Sequence, residues 1–129
     1  MGVKEEATRL HESGLNCAQS VLCSCREYTG LADETAAAVS GGFGGGVRCG
    51  EICGAISGAV MAVGMAYPYT DGSNKDARAL IAAKTCEVTK AYKERYGCVR
   101  CEELKANGVS CAELICFGAE TAEKIINNK

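Results

Sequence analysis

Residues 50–66 read GEICGAISGAVMAVGMA, and this stretch decides the fold. Small residues recur in it at every fourth position, namely at Gly50, Gly54, Gly58, Ala62 and Ala66. Residues spaced by four lie on one face of an α-helix, so this face is nearly bare backbone and lets another helix approach closely. The apolar run is also shorter than the roughly 18 to 20 residues that a membrane span requires. The stretch therefore predicts a glycine-striped central helix in a protein core, and no membrane span.

The flanking sequence has helical periodicity and no alternating strand pattern. The other predicted helices are one from Val3 that ends near Gly14, one from Cys17 to about Tyr28, a short one from Asp33 to Ser40, a long one from Ser73 or Asn74 to Gly97, a short one from about Arg100 to Ala106, and a last one capped by Ser110 and Glu113. We predict an all-α protein, a compact bundle of about six or seven helices around the central one, with residues 1–129 as a single domain.

Composition narrows the possible functions. Fourteen Lys and Arg stand against sixteen Asp and Glu, and no segment collects the basic charge that nucleic-acid binding requires. Ten of the 129 residues are cysteine, and the charged stretch from Met1 to Glu6 is not typical of a secretory signal. We therefore expect a cytoplasmic protein with reduced thiols. Cytosolic chains rich in cysteine divide mainly between metal binding and redox chemistry.

Three cysteines lie where helices are predicted to begin. Cys17 and Cys111 each follow a predicted N-cap residue, and Cys53 lies near the start of the central helix. The free backbone N–H groups and the dipole at a helix start favour a thiolate, which is both the nucleophile and the metal ligand. Cys17 and Cys53 are therefore predicted to have lowered pKa values. Cys25 and Cys86 lie inside predicted helices and should titrate as ordinary or raised-pKa thiols.

Two pairs of cysteines are close in sequence. Cys49 and Cys53 are four residues apart and Cys98 and Cys101 are three apart, so each pair would share a helix face if its segment were helical. The second C-x-x-C pair of a zinc ribbon and the tight cysteine run of a ferredoxin are both absent. His11 is the only histidine, and we interpret it as a solvated helix residue. Any metal site would therefore be all-thiolate, which favours an iron–sulfur cluster or zinc.

The glycine-rich run from Gly41 to Gly46 lies before the central helix. It does not match a phosphate-binding loop, because Val47 and Arg48 stand where Lys followed by Ser or Thr would be needed. An anionic ligand at Arg48 stays open as an alternative. We favour a tight turn that allows close helix packing.

Four motifs occur in order along nearly the whole chain. The central one, Cys-Gly-Ala-x-x-Gly, is Cys53 to Gly58, and a glycine-rich approach, Gly42 to Gly46 with Gly50 and Glu51, precedes it. The first motif is Asn16 to Gln19, the third is Cys101 with Glu103 and Leu104, and the fourth is Cys116 with Ala122, Glu123 and Ile125. In this order they resemble the C_GCAxxG_C_C family of putative redox-active proteins from bacteria and archaea.

The resemblance implies one redox-active site built from four helices. Its four cysteines would be Cys17, Cys53, Cys101 and Cys116, as catalytic residues or as metal ligands. Six further cysteines depart from the family pattern: Cys23, Cys25, Cys49, Cys86, Cys98 and Cys111. Among them, Cys98 competes with Cys101 for the third position, and Cys111 competes with Cys116 for the fourth.

Three functions remain open at this point. In the leading interpretation the protein is a thiol-disulfide oxidoreductase or electron carrier, in which a thiolate at Cys53 or Cys17 attacks a disulfide or oxidant and a nearby thiol resolves the mixed disulfide. In the second, the four thiolates bind an iron–sulfur cluster or zinc. In the third, the chain acts without catalysis through a partner, and its small-residue stripe forms the interface, for example in a homodimer. The expected partners are a redox protein or a small oxidant, with neither nucleic acid nor membrane.

Overall fold

Helices dominate the computed structural model, which describes residues 2–128. The helices in this part of the chain are α1 (Val3–Glu12), α2 (Cys17–Ser24), α3 (Arg26–Thr29), α4 (Asp33–Ser40), α5 (Gly54–Ala66), α6 (Lys75–Tyr96), α7 (Cys101–Ala106) and α8 (Cys111–Asn127). No strand is formed there, and the extended pairing is an isolated antiparallel bridge between Ile52 and Arg100. The all-α prediction is confirmed, with eight helices over these residues where the sequence indicated about six or seven.

Side-chain caps begin three of the helices as predicted. The Asn16 side-chain oxygen Oδ1 accepts the Gln19 N–H at 3.0 Å, and the Gln19 side-chain oxygen Oε1 accepts the Asn16 N–H at 3.0 Å, which completes a reciprocal capping box for α2. Asn74 and Ser110 likewise accept a first-turn backbone N–H in α6 and α8. Each cap satisfies an N–H group that has no partner inside its own helix.

The predicted helix from Cys17 to Tyr28 is interrupted near its middle. Helix α2 ends at Ser24, and the Ser24 hydroxyl donates to the Val21 carbonyl at 2.7 Å. A serine hydroxyl that binds a carbonyl of the preceding turn competes with the helical backbone ladder. Cys25 leaves helical geometry with ψ at 19°, and the single turn α3 follows. This break accounts for the additional helix.

The central helix begins later than its sequence pattern indicated. Gly50 lies in a preceding turn with φ at +78°, so the small-residue stripe on α5 runs only from Gly54 to Ala66. A Cβ added at Gly58 would lie 2.6 Å from the Ala18 carbonyl oxygen, which shows that the backbone of α2 rests directly on the stripe. The close helix approach is confirmed. Because α2 of the same chain covers the stripe, its interpretation as a dimer surface is wrong.

Helix α5 is the centre around which the other helices pack. It contacts α2, α8 and α6, while α1 lies across α2 and α8. From α6, Val88 and Tyr92 are fully buried. The Tyr92 hydroxyl donates to the Leu114 carbonyl of α8 at 2.9 Å. None of the helices described for residues 2–128 combines the length and the apolar character that crossing a membrane requires.

One partly buried ion-pair network ties α1 to the start of α3. The Glu6 carboxylate accepts hydrogen bonds from the guanidinium of Arg9 at 2.6 Å and from that of Arg26 at 2.5 Å. These two partners, Arg9 first, lower the pKa of Glu6 to about 2. The Glu6 side chain is only 12% exposed, so solvent screens the network less than it would a surface pair.

Candidate functional site

The isolated bridge brings two cysteines together. On either side of the Ile52–Arg100 pair, the N–H groups of Cys53 and Cys101 donate to carbonyls of the opposite segment, at 2.9 and 2.6 Å. Side chains alternate along extended backbone, so Cys53 and Cys101 share one face of the bridge while Ile52 and Arg100 share the other. Both thiols are buried, with 2% and 8% of their surface exposed. The bridge therefore gives Cys53 and Cys101 a common, buried location.

Two more cysteines belong to the same group. Cys17 is the first residue of α2 and Cys111 is the first residue of α8, and their thiols lie close enough to interact. Cys17 also interacts electrostatically with Cys53 and Cys101, and Cys53 interacts with Cys101 and Cys111. Cys17 and Cys111 are half-buried. We call this group, Cys17, Cys53, Cys101 and Cys111, the thiol junction.

All four cysteines of the thiol junction lie at a helix N-terminus. Cys17, Cys101 and Cys111 are the first residues of α2, α7 and α8, and Cys53 is the N-cap residue of α5. The backbone N–H groups of Ala55 and Ile56, in the first turn of α5, favour the Cys53 thiolate. Free N–H groups and the positive end of the helix dipole favour negative charge. The junction thus brings four such helix ends to the cysteines.

In the reduced protein, burial outweighs the effect of the helix ends. Burial, followed by interaction with the neighbouring thiols, raises the pKa of Cys17 to about 12. Burial also raises the pKa of Cys53, although N–H groups of α5 oppose the shift. The lowered pKa values predicted for Cys17 and Cys53 are therefore wrong, because desolvation and repulsion between adjacent thiolates outweigh the stabilisation that the helix ends give a thiolate. Inside the bundle, burial raises the pKa of Cys25 to about 11, as its interior position predicted.

Cys116, expected as the fourth site residue, lies elsewhere. It is five residues after Cys111 in α8 and hence roughly 140° away around the helix axis. Its Sγ lies 3.2 Å from the Thr8 Oγ1 of α1, in a surface pocket that Lys4 and Arg9 also line. The structure thus brings together Cys17, Cys53 and Cys101 of the expected set, and it adds Cys111 to them rather than Cys116.

Neither pair of cysteines that are close in sequence shares a helix face. Arg100 is extended, with φ at −82° and ψ at 132°, and α7 begins only at Cys101, so Cys98 lies outside that helix. Cys49 is an exposed residue of the turn before α5, whereas Cys53 is the N-cap residue of that helix. Both pairings predicted for helical segments are therefore absent.

Polar side chains of the first motif, Asn16 to Gln19, fix the position of Cys17 relative to α4 and the segment that follows it. The Asn16 amide donates to the Gly41 carbonyl and the Gln19 amide donates to the Ala37 carbonyl, each at 3.0 Å. These bonds fasten the start of α2 to the end of α4 and to the glycine-rich run that follows. Asn16 and Gln19, on either side of Cys17, therefore do two things: they cap α2, and they bind the segment that contains Ala37 and Gly41.

The glycine-rich run forms two turns, Gly41–Phe43 and Gly46–Gly50, which pack against each other. A Cβ added at Gly46 would lie 2.5 Å from the Glu51 backbone and 2.9 Å from the Cys101 Cβ. Gly46, with φ at +64°, therefore has both a left-handed backbone and no room for a side chain. The interpretation as a tight turn with close packing is confirmed, and this turn lies directly against the thiol junction.

The donor set of the thiol junction, four thiols, is the one that zinc and iron–sulfur clusters prefer. Over residues 2–128, however, no group of three or more His, Cys, Asp or Glu side chains is arranged to hold a metal ion. The residues therefore fit such a group in donor chemistry and not in their present arrangement.

A sequence signal for Cys111 was present. Ser110 caps α8 and makes Cys111 the first helical residue, in the same way that Asn16 makes Cys17 the first residue of α2. Cys116 lies more than one turn further into the helix. Choosing the cysteine that directly follows an N-cap would have identified Cys111.

Fold and site together define a class, that of small helical proteins with a cluster of cysteines at helix starts. The chain belongs to the C_GCAxxG_C_C family, described as putative redox-active proteins, whose family model matches residues 15–125. No curated protein and no solved structure matches the chain. Redox activity is thus a property described for the family, and the matched range contains every cysteine of the thiol junction.

Proposed function

We propose that the thiol junction is a redox centre that carries out thiol–disulfide exchange, with Cys17 and Cys111 as the reacting pair. The observation that carries this proposal is the proximity of the Cys17 and Cys111 thiols, which lie at the starts of two different helices and interact with each other. Both are half-buried, whereas Cys53 and Cys101 are buried. A reactant therefore reaches Cys17 and Cys111 more readily than the other two thiols. The proposal assigns Cys111, rather than Cys116, to the fourth position.

The exchange proceeds in two steps that balance in electrons and protons. Because burial raises the pKa of Cys17, its thiol stays protonated near neutral pH, and we assign the first attack to Cys111. The Cys111 thiolate attacks one sulfur of a substrate disulfide, the substrate S–S bond breaks, and a mixed disulfide forms. Cys17 then attacks the Cys111 sulfur of that mixed disulfide and passes its proton to the departing substrate thiolate. Two electrons move to the substrate, and a Cys17–Cys111 disulfide remains.

Peptide mapping of the oxidised protein tests the reacting pair. The reduced chain is treated with a limiting amount of oxidised dithiothreitol, the remaining thiols are alkylated, and disulfide-linked peptides are identified by mass spectrometry. We expect a Cys17–Cys111 link that Cys111→Ser abolishes and that the matched control Cys116→Ser retains. A dominant link that joins Cys17 to another residue, or no link at Cys17, would contradict the assignment.

A second candidate function, a metal-binding or iron–sulfur electron carrier, is favoured by the four helix N-termini at the junction. Four thiolates around a metal carry net negative charge, which helix starts stabilise. After a rearrangement of their side chains, Cys17, Cys53, Cys101 and Cys111 would hold the group, and an iron–sulfur cluster would supply one-electron transfer.

Metal analysis separates the two candidates. Protein purified without oxygen is measured for visible absorbance, iron and zinc, and the variants Cys111→Ser and Cys116→Ser are compared. Stoichiometric metal that Cys111→Ser loses and Cys116→Ser keeps would favour the carrier. Colourless, metal-free protein with titratable thiols would contradict it and leave thiol–disulfide exchange.

A further inference from the structure

The turn beside the thiol junction holds two bulky residues in a backbone conformation that favours glycine. Val47 and Arg48 have φ at +57° and +63°, although the chain uses glycine freely on both sides of them. A left-handed conformation is especially unfavourable for a β-branched residue such as valine. The Val47 side chain is 50% exposed and Arg48 is exposed as well, so packing inside the chain does not account for either side chain. Retained strain of this kind points to a contact outside the chain.

Two further exposed apolar side chains lie near the same turn. Phe43 ends the preceding turn, and its carbonyl lies close to Gly54 at the start of α5, where Cys17 also approaches. Ile52 directly precedes Cys53, on the outer face of the bridge. Phe43, Val47 and Ile52 are all large hydrophobic residues left exposed. We call these three residues together with Arg48 the loop surface.

The charges near the loop surface are unevenly paired. The Arg100 guanidinium lies 3.3 Å from each of the carboxylates of Glu51, Glu102 and Glu103. Within residues 2–128, by contrast, no carboxylate forms an ion pair with Arg48. An exposed cation without an internal partner, set among exposed apolar side chains, is complementary to a carboxylate on an apolar patch of another protein.

We propose that the loop surface docks a dithiol redox protein, which exchanges electrons with the thiol junction and places a carboxylate against Arg48. This inference rests on the proposed function, because the partner reacts with the Cys17–Cys111 disulfide. One partner thiolate attacks that disulfide, releases one of the two cysteines and forms a mixed disulfide with the other. The second partner thiol then attacks the partner sulfur of the mixed disulfide and releases the remaining cysteine. The partner ends as a disulfide, and both Cys17 and Cys111 end as thiols, so two electrons pass from the partner to this chain.

Thioredoxin, a general protein dithiol, and dithiothreitol, a small dithiol without a docking surface, serve as the two probes. The oxidised chain is mixed with each, and second-order rate constants of reduction are measured for the unaltered protein, Val47→Gly and Arg48→Glu. The matched controls Leu80→Ala and Arg78→Glu change exposed residues of α6 near the opposite end of α5, roughly 20 Å from the junction.

We expect thioredoxin to reduce the unaltered chain faster than dithiothreitol does. Val47→Gly and Arg48→Glu should each lower the thioredoxin rate constant about fivefold or more, because they remove an apolar contact and reverse a docking charge. The dithiothreitol rate constants and both control variants should stay within about twofold of the unaltered protein. Val47→Gly should also raise the melting temperature, since it relieves the left-handed valine, whereas a purely structural Val47 would make this variant less stable.

Three results would overturn the docking proposal. They are a thioredoxin rate no faster than that of dithiothreitol, a thioredoxin rate unchanged in both loop variants, and an equal loss with both reductants, which would indicate damage to the junction itself. Failure of the proposed function looks different. In that case the oxidised chain contains no Cys17–Cys111 disulfide, and dithiothreitol releases no thiols from it.

Discussion

Two glycines of the central helix make it possible to measure how much the close contact between α2 and α5 contributes to the free energy of unfolding. Gly58 and Gly64 both lie in α5, so replacing either with alanine adds one methyl group and gains helix propensity of about 0.5–1 kcal/mol. Their surroundings differ. A Cβ at Gly64 meets no heavy atom within 4 Å, whereas one at Gly58 would lie 2.6 Å from the Ala18 carbonyl oxygen and 3.0 Å from the Val21 Cβ.

The cost at Gly58 follows from that geometry. The Ala18 oxygen belongs to the backbone of α2 and cannot turn aside, so α2 must move away by several tenths of an ångström. A gap of this size forfeits a quarter to a half of the dispersion energy of the contacts around it. Overpacking of this kind costs about 1–3 kcal/mol. Because the propensity gain is common to both variants, we expect Gly58→Ala to be less stable than Gly64→Ala by about 1–3 kcal/mol, and Gly58→Leu to lose still more.

Urea denaturation followed by circular dichroism, with excess reductant to keep all cysteines as thiols, measures this difference. Gly64→Ala should be at least as stable as the unaltered protein, and Gly58→Ala should be less stable. Equal shifts for the two variants, or a stabilised Gly58→Ala, would refute the argument that α2 rests on the Gly58 backbone.

Three further outcomes follow from the described contacts. Because two guanidiniums lower the pKa of Glu6 to about 2, its carboxylate stabilises the fold above pH 4.5; this contribution should fall away between about pH 4.5 and pH 2, and Glu6→Gln should flatten that part of the stability profile. Tyr92→Phe removes a buried hydrogen bond to α8 and should cost about 0.5–1.5 kcal/mol in denaturant titration. Brief alkylation of the reduced protein near neutral pH should label the exposed Cys49 and Cys86 before Cys17, whose pKa is about 12; mass mapping that finds Cys17 labelled first would contradict the burial argument.

Local sequence signals were sufficient wherever the physical cause is local. Helical periodicity, the N-cap residues Asn16, Asn74 and Ser110, and the absence of strand alternation together predicted an all-α fold and most helix starts. These signals succeed because a cap or an amphipathic face involves residues within one or two turns of each other. The bend at Cys25 escaped them, since helical periodicity continues through that position and a hydroxyl bond of the preceding turn decides the break.

Convergence of the cysteines required contacts between distant segments. The bridge between Ile52 and Arg100 sets Cys53 beside Cys101, and no local pattern indicates that these two segments pair. The choice between Cys111 and Cys116 likewise depends on which side of α8 faces α2 and which faces α1. The spacing of two residues in one helix fixes the angle between them around the helix axis. It does not fix which neighbouring helix each of the two side chains faces.

The chain by itself thus determined the helices and the glycine-striped core helix, and its resemblance to the family indicated three of the four cysteines that lie at the junction. Only the tertiary structure decided that Cys111 completes the group, that α2 covers the stripe, and that the thiols at the helix starts are buried. Burial is the physical reason for the largest departure from expectation. A helix start is a local feature that favours a thiolate at Cys17, but the desolvation that raises its pKa comes from the other segments packed around it.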